Sequence, residues 1–262
     1  MTMTMTWNTE YAPSCLSLQV HDLGVYRLRL AQTPSDLRAA QRLRFLVFNR
    51  ELHEGLQESY ATGLDEDEFD LVCAHLLVED RRSGEVIGTY RMQSGAQALH
   101  HRGYYCSREF DLGPFEPLRV AVLELGRACI HADHRGFTVL SLLWRGIAEH
   151  AQQHGARYLL GCSSLTSQSP AVGVAAWQQL ERHWAPEAFR TVPQADFRCV
   201  PTPGCARGTV GIPKLLSAYL ALGAWVCGPP AIDRDFNTID FLTLLDLQSP
   251  AMVQRRHRFG IV

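Results

Sequence analysis

The chain has 262 residues, is 46% hydrophobic and carries a formal net charge of −2, enough length for one large domain or two small ones. The charge balance excludes generic nucleic-acid binding, which needs a basic surface, and no apolar run approaches the ~20 residues of a membrane span. The dispersed cysteines, Cys15, Cys73, Cys106, Cys129, Cys162, Cys199, Cys205 and Cys227, form no CxxC pair, so reduced, mostly buried thiols and a cytosolic setting are expected.

The opening MTMTMTWNTEY has no apolar core, so no secretory leader is expected there, and residues 1–22 read as a poorly ordered arm. Val25 to Ala31 alternates apolar and charged residues, the pattern of a strand with one face in a core. Thr33, Pro34 and Asp36 then supply an N-cap, a first-turn proline and a first-turn acid for a helix running to about Leu52. Its inward stripe of Leu37, Ala40, Arg44, Val47 and Phe48 places an arginine on the apolar face. That arginine needs a carboxylate, and GLDEDEFD supplies Asp65, Asp67 and Asp70. Either Asp67 and Asp70 reach Arg44 in a buried network, or the acidic run is exposed.

Two strands, Cys73 to Glu79 and Glu85 to Met92, flank the turn DRRSG and predict an antiparallel hairpin carrying Arg91 at its far end. Residues 94–117, rich in Gly, His and aromatics, read as a long irregular connection of the kind that often carries function.

The following stretch, LRVAVLELGRACIHADHRG from Leu118 to Gly136, reads as a strand covered on both faces from Val120 to Leu125. Glu124 inside it needs a reason. On a regular strand Glu124 and Arg127 point to opposite faces, but a bulge at Gly126 brings them together and leaves a backbone N–H unpaired. A base, an arginine and a free amide suit a reaction at a carbonyl; a buried structural ion pair is the alternative.

A helix follows from roughly Thr138 to His154, with Gly155 as its cap. Arg135, Gly136 and the first helical N–H groups, at Phe137 and Thr138, make an anion pocket suited to phosphate. Tyr158 to Ser163 reads as a buried strand, and Ala171 to Trp184 as a helix. Ile212 to Val226 reads as a helix whose apolar face lies in the core or against lipid. The segment GAWVCGPPAIDRDFNTIDFLTLLDL reads as a turn, a strand and a return, and the basic QRRHRFGIV tail as solvated or facing an anionic membrane or acidic partner. No metal-ligand spacing, nucleophile elbow or GxGxxG fingerprint occurs.

The segments RLRFLVF, DEDEFD, GTYRM and LELGR together resemble the GNAT superfamily of N-acyltransferases, in the branch that contains acyl-homoserine lactone synthases. CIHADHRGFTVLSLLWRGIA and PKLLSAYLALGAWVCGPPAIDRDFNTIDFLTLLDL are similar instead to the ornithine-acylating enzymes of ornithine lipid synthesis, often labelled haemolysins. The resemblance implies an α/β (α+β) fold: a mostly antiparallel twisted sheet flanked by helices, with a V-shaped cleft between two central strands. It implies a single domain over 23–262, with a family-specific extension over about 186–262. Glu124, Gly126 and Arg127 would be catalytic. Arg44, Phe48, Asp67, Asp70 and Arg91 would form a polar core beside the cleft. No permanent cofactor or metal is implied: the acyl thioester on the phosphopantetheine of acyl carrier protein would be the donor. Ornithine would be the acceptor, with another amino acid or a homoserine lactone precursor as the alternative. Asp233, Asp235 and Asp240 could take its side-chain ammonium, or be turn residues and caps. A cytoplasmic enzyme with peripheral membrane contact is expected; direct lysis fits poorly with the absence of a spanning segment.

Overall fold

The structure is a computed structural model, and it describes residues 18–200 and 209–255. The first 17 residues of the expected arm and the end of the basic tail, from 256, lie outside the described residues.

A nine-stranded sheet runs β1 (His21–Leu23), β2 (Tyr26–Leu30), β3 (Ala74–Asp80), β4 (Glu85–Ser94), β5 (Val122–Ile130), β6 (Tyr158–Thr166), β9 (Thr238–Asp246) and β7 (Trp225–Val226) in spatial order, with β8 (Ala231–Asp233) also on β9. Among these strands β5 and β6 pair in parallel and the other pairs are antiparallel, as the resemblance implied. The β1 arm of the first hairpin was not expected.

Between β2 and β3 lies α1 (Pro34–Phe45), started by a capping box in which Thr33 accepts from the Asp36 N–H and Asp36 accepts from the Thr33 N–H. Its last turn widens into a π-helical segment, Leu46–Glu51, just beyond Arg44. The short α2 (Ser59–Thr62) follows before the acidic loop. On one face of the sheet, α4 (Phe137–Gln153) buries Val139, Leu142, Leu143, Trp144 and Ile147 against β2, β3 and β4. On the other face lies residues 95–121, which is less irregular than its composition suggests. It holds α3 (Gly95–His100), a 3-10 turn at Tyr105–Arg108 and another over Gly113–Ala121, anchored by the fully buried Phe110 and Phe115.

That last turn corrects one strand boundary. Val120 is 78% exposed and β5 begins at Val122, so the apolar run is half 3-10 turn and half strand. The helix expected over 212–226 is also shorter: α6 spans Lys214–Ala221, Gly223 at φ +95° breaks it, and Trp225–Val226 forms β7. Its apolar side faces the core, with Leu216 and Tyr219 buried. Among the described residues no helix is long and apolar enough to cross a membrane. The remaining helices are α5 (Pro170–Gln179) and α7 (Pro250–Arg255).

The cleft comes from the parting of β5 and β6. They pair from Val122 and Tyr158 to Glu124 and Leu160, after which β5 stays with β4 and β6 with β9. Gly161 occupies the apex, where a Cβ would stand 2.4 Å from the Leu125 carbonyl oxygen. A side chain there would push the strands apart.

Candidate active site

Arg44, on the buried stripe of α1, is 0% exposed, and what it meets is a closed ring of charges. Arg44 pairs with Asp65 at 2.8 Å and with Asp70 at 2.5 Å; Arg91 pairs with Asp70 at 2.9 Å and with Asp67 at 2.6 Å. Arg127 closes it on Asp67 at 2.9 Å and Asp65 at 3.2 Å. Each aspartate thus bridges two arginines, and no side chain in the ring is more than 9% exposed. The expectation that Asp67 serves Arg44 is corrected: Asp65 does so, and Asp67 joins the two strand arginines. Burial alone would raise the carboxyl pKa of Asp67 and Asp70, but their arginine partners outweigh it and hold both below the ordinary range. Gln41 also donates to Asp70, at 2.9 Å.

The bulge exists, though not on the glycine. Gly126 faces Arg91 and Cys129 faces Thr89, so one extra residue is inserted on β5, and it is Arg127 that takes φ +50°. A non-glycine residue in that region is held by its surroundings, here by Asp65, Asp67 and the rings of Tyr105 and Phe236 at 4.8 and 4.2 Å.

Glu124 is 5% exposed at the head of the cleft. Its carboxylate accepts from the backbone N–H of Tyr105 at 2.9 Å and of Cys106 at 2.8 Å, both in the 3-10 turn of the long connection. Burial raises its pKa, and these amides only partly offset that. The result is a carboxylate fixed in direction and more basic than usual.

The cleft encloses about 630 Å³. Leu140, Leu143, Leu159, Leu215 and Tyr219 make an apolar wing beside α4 and α6, while Gln93, Glu109, Glu124, Asp233 and Asp240 line the other side. Three of these acids converge. Glu109, Asp233 and Asp240 are buried, and each brings an oxygen within 4.8 Å of the others. Burial first, and the neighbouring acids next, raise the Glu109 pKa; burial also raises that of Asp240. Such a trio could hold an ammonium or a metal ion.

Phe48, Gly126, Arg91 and Arg127 line the cleft as well, and so do Asp233 and Asp240. Asp235 does not: it is exposed in the β8–β9 turn and its N–H donates to Asp233 at 2.8 Å. Asp233 therefore serves both as turn cap and as pocket acid. Arg135 borders the cleft but its guanidinium is held by Glu51, at 2.7 Å, while Gly136, Phe137 and Thr138 sit beyond the cleft wall on the first turn of α4, with Phe137 63% exposed. Asp65 stands among the loop carboxylates in the sequence but was not assigned to Arg44, and Glu109 and the two amides that orient Glu124 were not expected. A backbone donor leaves no trace in residue type, and Glu109 sits in a segment without periodicity.

The acetyltransferase (GNAT) domain family matches residues 43–145. The chain is 34% identical over 251 residues to an L-ornithine N(alpha)-acyltransferase from Rhodobacter capsulatus, covering 89% of this chain and 94% of that one. The chain belongs to this family. A second member, from Brucella abortus, is 29% identical over 86% of each chain. Among solved structures the fold is shared with FeeM, an N-acyl amino acid synthase from uncultured soil microbes (TM-score 0.52, 13% identity, 89% of this chain and 93% of that one). It is also shared with MesI, a CoA-dependent acyl-homoserine lactone synthase (TM-score 0.50, 14% identity, 90% and 96%). As a member of this acyltransferase family with a GNAT fold, the protein is an N-acyltransferase that moves an acyl group onto an amine.

Proposed function

We propose that this family member transfers a 3-hydroxy fatty acyl group from acyl carrier protein to the α-amine of ornithine, giving a lyso-ornithine lipid that a second acylation at its hydroxyl would complete. The observation that carries this reading is the buried trio Glu109, Asp233 and Asp240 on the same cleft as Glu124. An acceptor with a second ammonium would satisfy it, whereas an apolar amino acid would leave the carboxylates facing hydrocarbon.

In this scheme the acyl chain lies along the apolar wing, and the thioester carbonyl sits where β5 leaves β6. The phosphopantetheine arm pairs with the strand edges freed there. Its phosphate lies at Arg135, Gly136, Phe137 and Thr138, Arg135 exchanging Glu51 for it. The free amine attacks the carbonyl carbon, Glu124 takes the amine proton directly or through water, and the bulge amide at Gly126 or Arg127 steadies the oxyanion. The C–S bond breaks, and the sulfur leaves as a thiol with the proton Glu124 held. The arginine ring fixes the bulge rather than touching the reacting atoms, and Phe48 packs on Leu43, Val47 and Cys129 at the cleft wall. The enzyme would work on the cytoplasmic side, releasing its lipid product at a membrane surface.

The test supplies purified protein with 3-hydroxyacyl carrier protein and an equimolar amino acid mixture, with product masses as the readout. Acyl-ornithine should dominate. A dominant product carrying glycine, tyrosine or homoserine lactone would overturn the acceptor, and loss of turnover on removing divalent metal would reassign the acid trio to a metal ion.

A further inference from the structure

Gln93 stands directly opposite Glu124 in the β4–β5 ladder. Cross-strand partners share a face of the sheet, with Cβ atoms about 5 Å apart. Gln93 is 1% exposed and lines the cleft, and neither its Oε1 nor its Nε2 has a hydrogen-bond partner among the described residues. Its neighbours on β4 are fully used: Arg91 by Asp67 and Asp70, Ser94 as the cap of α3. A buried amide with both ends unmet opposes folding, and a hydrophobic side chain of the same shape would serve the structure better. Its partners belong to a ligand.

We infer that Gln93 binds the α-amino acid head of the acceptor, with Oε1 accepting from the amine beside Glu124 and Nε2 donating to the α-carboxylate. This rests on the proposal that the acceptor is an amino acid. Amine and carboxylate sit on one carbon, and one amide offers an acceptor and a donor at matching separation. The nearby arginines are poor candidates for the carboxylate, because Arg91 and Arg127 are already held by Asp65, Asp67 and Asp70. Gln93 would thus make the enzyme select amino acids over simple amines, separately from the acid trio, which reads the far end of the acceptor.

The experiment compares ornithine with ornithine amide, whose carboxylate is replaced by a neutral carboxamide, on wild type, Gln93→Met and Gln93→Glu. With ornithine, Gln93→Met should lower kcat/KM roughly 10- to 100-fold, mainly through KM, the range a hydrogen bond to a charged group is worth. Ornithine amide, already weak with wild type, should lose several-fold less than ornithine, because only the contact to its amine remains to be removed. Gln93→Glu should be worse than Gln93→Met with ornithine, by repulsion, and not with the amide. Melting temperature of Gln93→Met should equal or exceed wild type. Equal losses for both acceptors, a less stable Gln93→Met, or an unchanged KM for ornithine would overturn the inference. Should wild type prefer another amino acid, the ornithine reading fails on its own, and that amino acid with its amide decides the role of Gln93.

Discussion

Removing two facing members of the arginine–aspartate ring together should cost less than the sum of removing each alone. In Arg44→Met the apolar stem of a 0%-exposed side chain is roughly kept, but Asp65 and Asp70 each lose one of two arginine partners inside the core. Breaking a buried pair by deleting one partner typically costs about 3 to 5 kcal/mol, because a charge is left uncompensated. For a chain of this size that corresponds to a melting temperature lower by roughly 5 to 9 °C. Asp70→Asn alone should be similarly harmful, since it strands Arg44 and Arg91 together. The double variant leaves Arg91 and Arg127 facing Asp65 and Asp67, a balanced remnant with its own pairs intact. Its destabilisation should therefore fall short of the sum of the singles by about 1 to 3 kcal/mol. Urea unfolding of the four proteins at pH 7 measures this directly. Singles that add, or an Arg44→Met protein as stable as wild type, would show that the ring is not a coupled buried unit. The pH dependence has a fixed sign. Asp67 and Asp70 have lowered folded pKa values, so their contribution is complete above about pH 4, the unfolded carboxylate range, and is lost as pH falls through the folded values.

Glu124→Gln should retain the fold but lose roughly 10²- to 10⁴-fold in amide formation, as a missing general base does; near-normal turnover in folded protein would reject that role. Because burial raises the Glu124 pKa, the acid limb of kcat/KM should rise with pH at a midpoint above the ordinary carboxylate range, and a midpoint near 4 would contradict a base in this environment. Glu109→Gln should reduce ornithine turnover at least about tenfold relative to norvaline, the same skeleton without the second amine; an unchanged ratio would remove the acid trio from acceptor recognition. Acyl carrier protein should outperform acyl-coenzyme A and its use should fall steeply with salt, since Arg135 at the border of the cleft would meet an acidic carrier; equal, salt-insensitive rates would count against it.

What the sequence disclosed follows from where periodicity carries information. Arg44 was legible because an arginine on an otherwise apolar helical stripe breaks the pattern, and Glu124 because a charge interrupts a buried strand. Of its partners Asp70 was expected, but Asp65 could not be told from Asp67, because both lie in a loop whose path no period constrains. The bulge followed from a glycine between two charges, yet the left-handed residue is Arg127, since the ring and two aromatic rings hold it there. The pattern puts Val120 in the strand, because an apolar run cannot separate a 3-10 turn from a strand. Glu109 and the Tyr105 and Cys106 amides come from a connection that looks irregular and is in fact built from short helical turns.

The two walls of the cleft come from different parts of the chain. Glu124, the bulge and the ring that braces it stand on residues 41–130, whereas Asp233 and Asp240 ride on β8 and β9, which meet the rest of the sheet through the nine-residue pairing of β6 with β9. Glu109 alone of the acid trio comes from the first part. If the acid trio reads the acceptor as proposed, changes in the β8–β9 hairpin would alter which amine is admitted while Glu124, the bulge and the ring stay in place, so one acylating machine would be retuned to new amino acids by replacing a single hairpin.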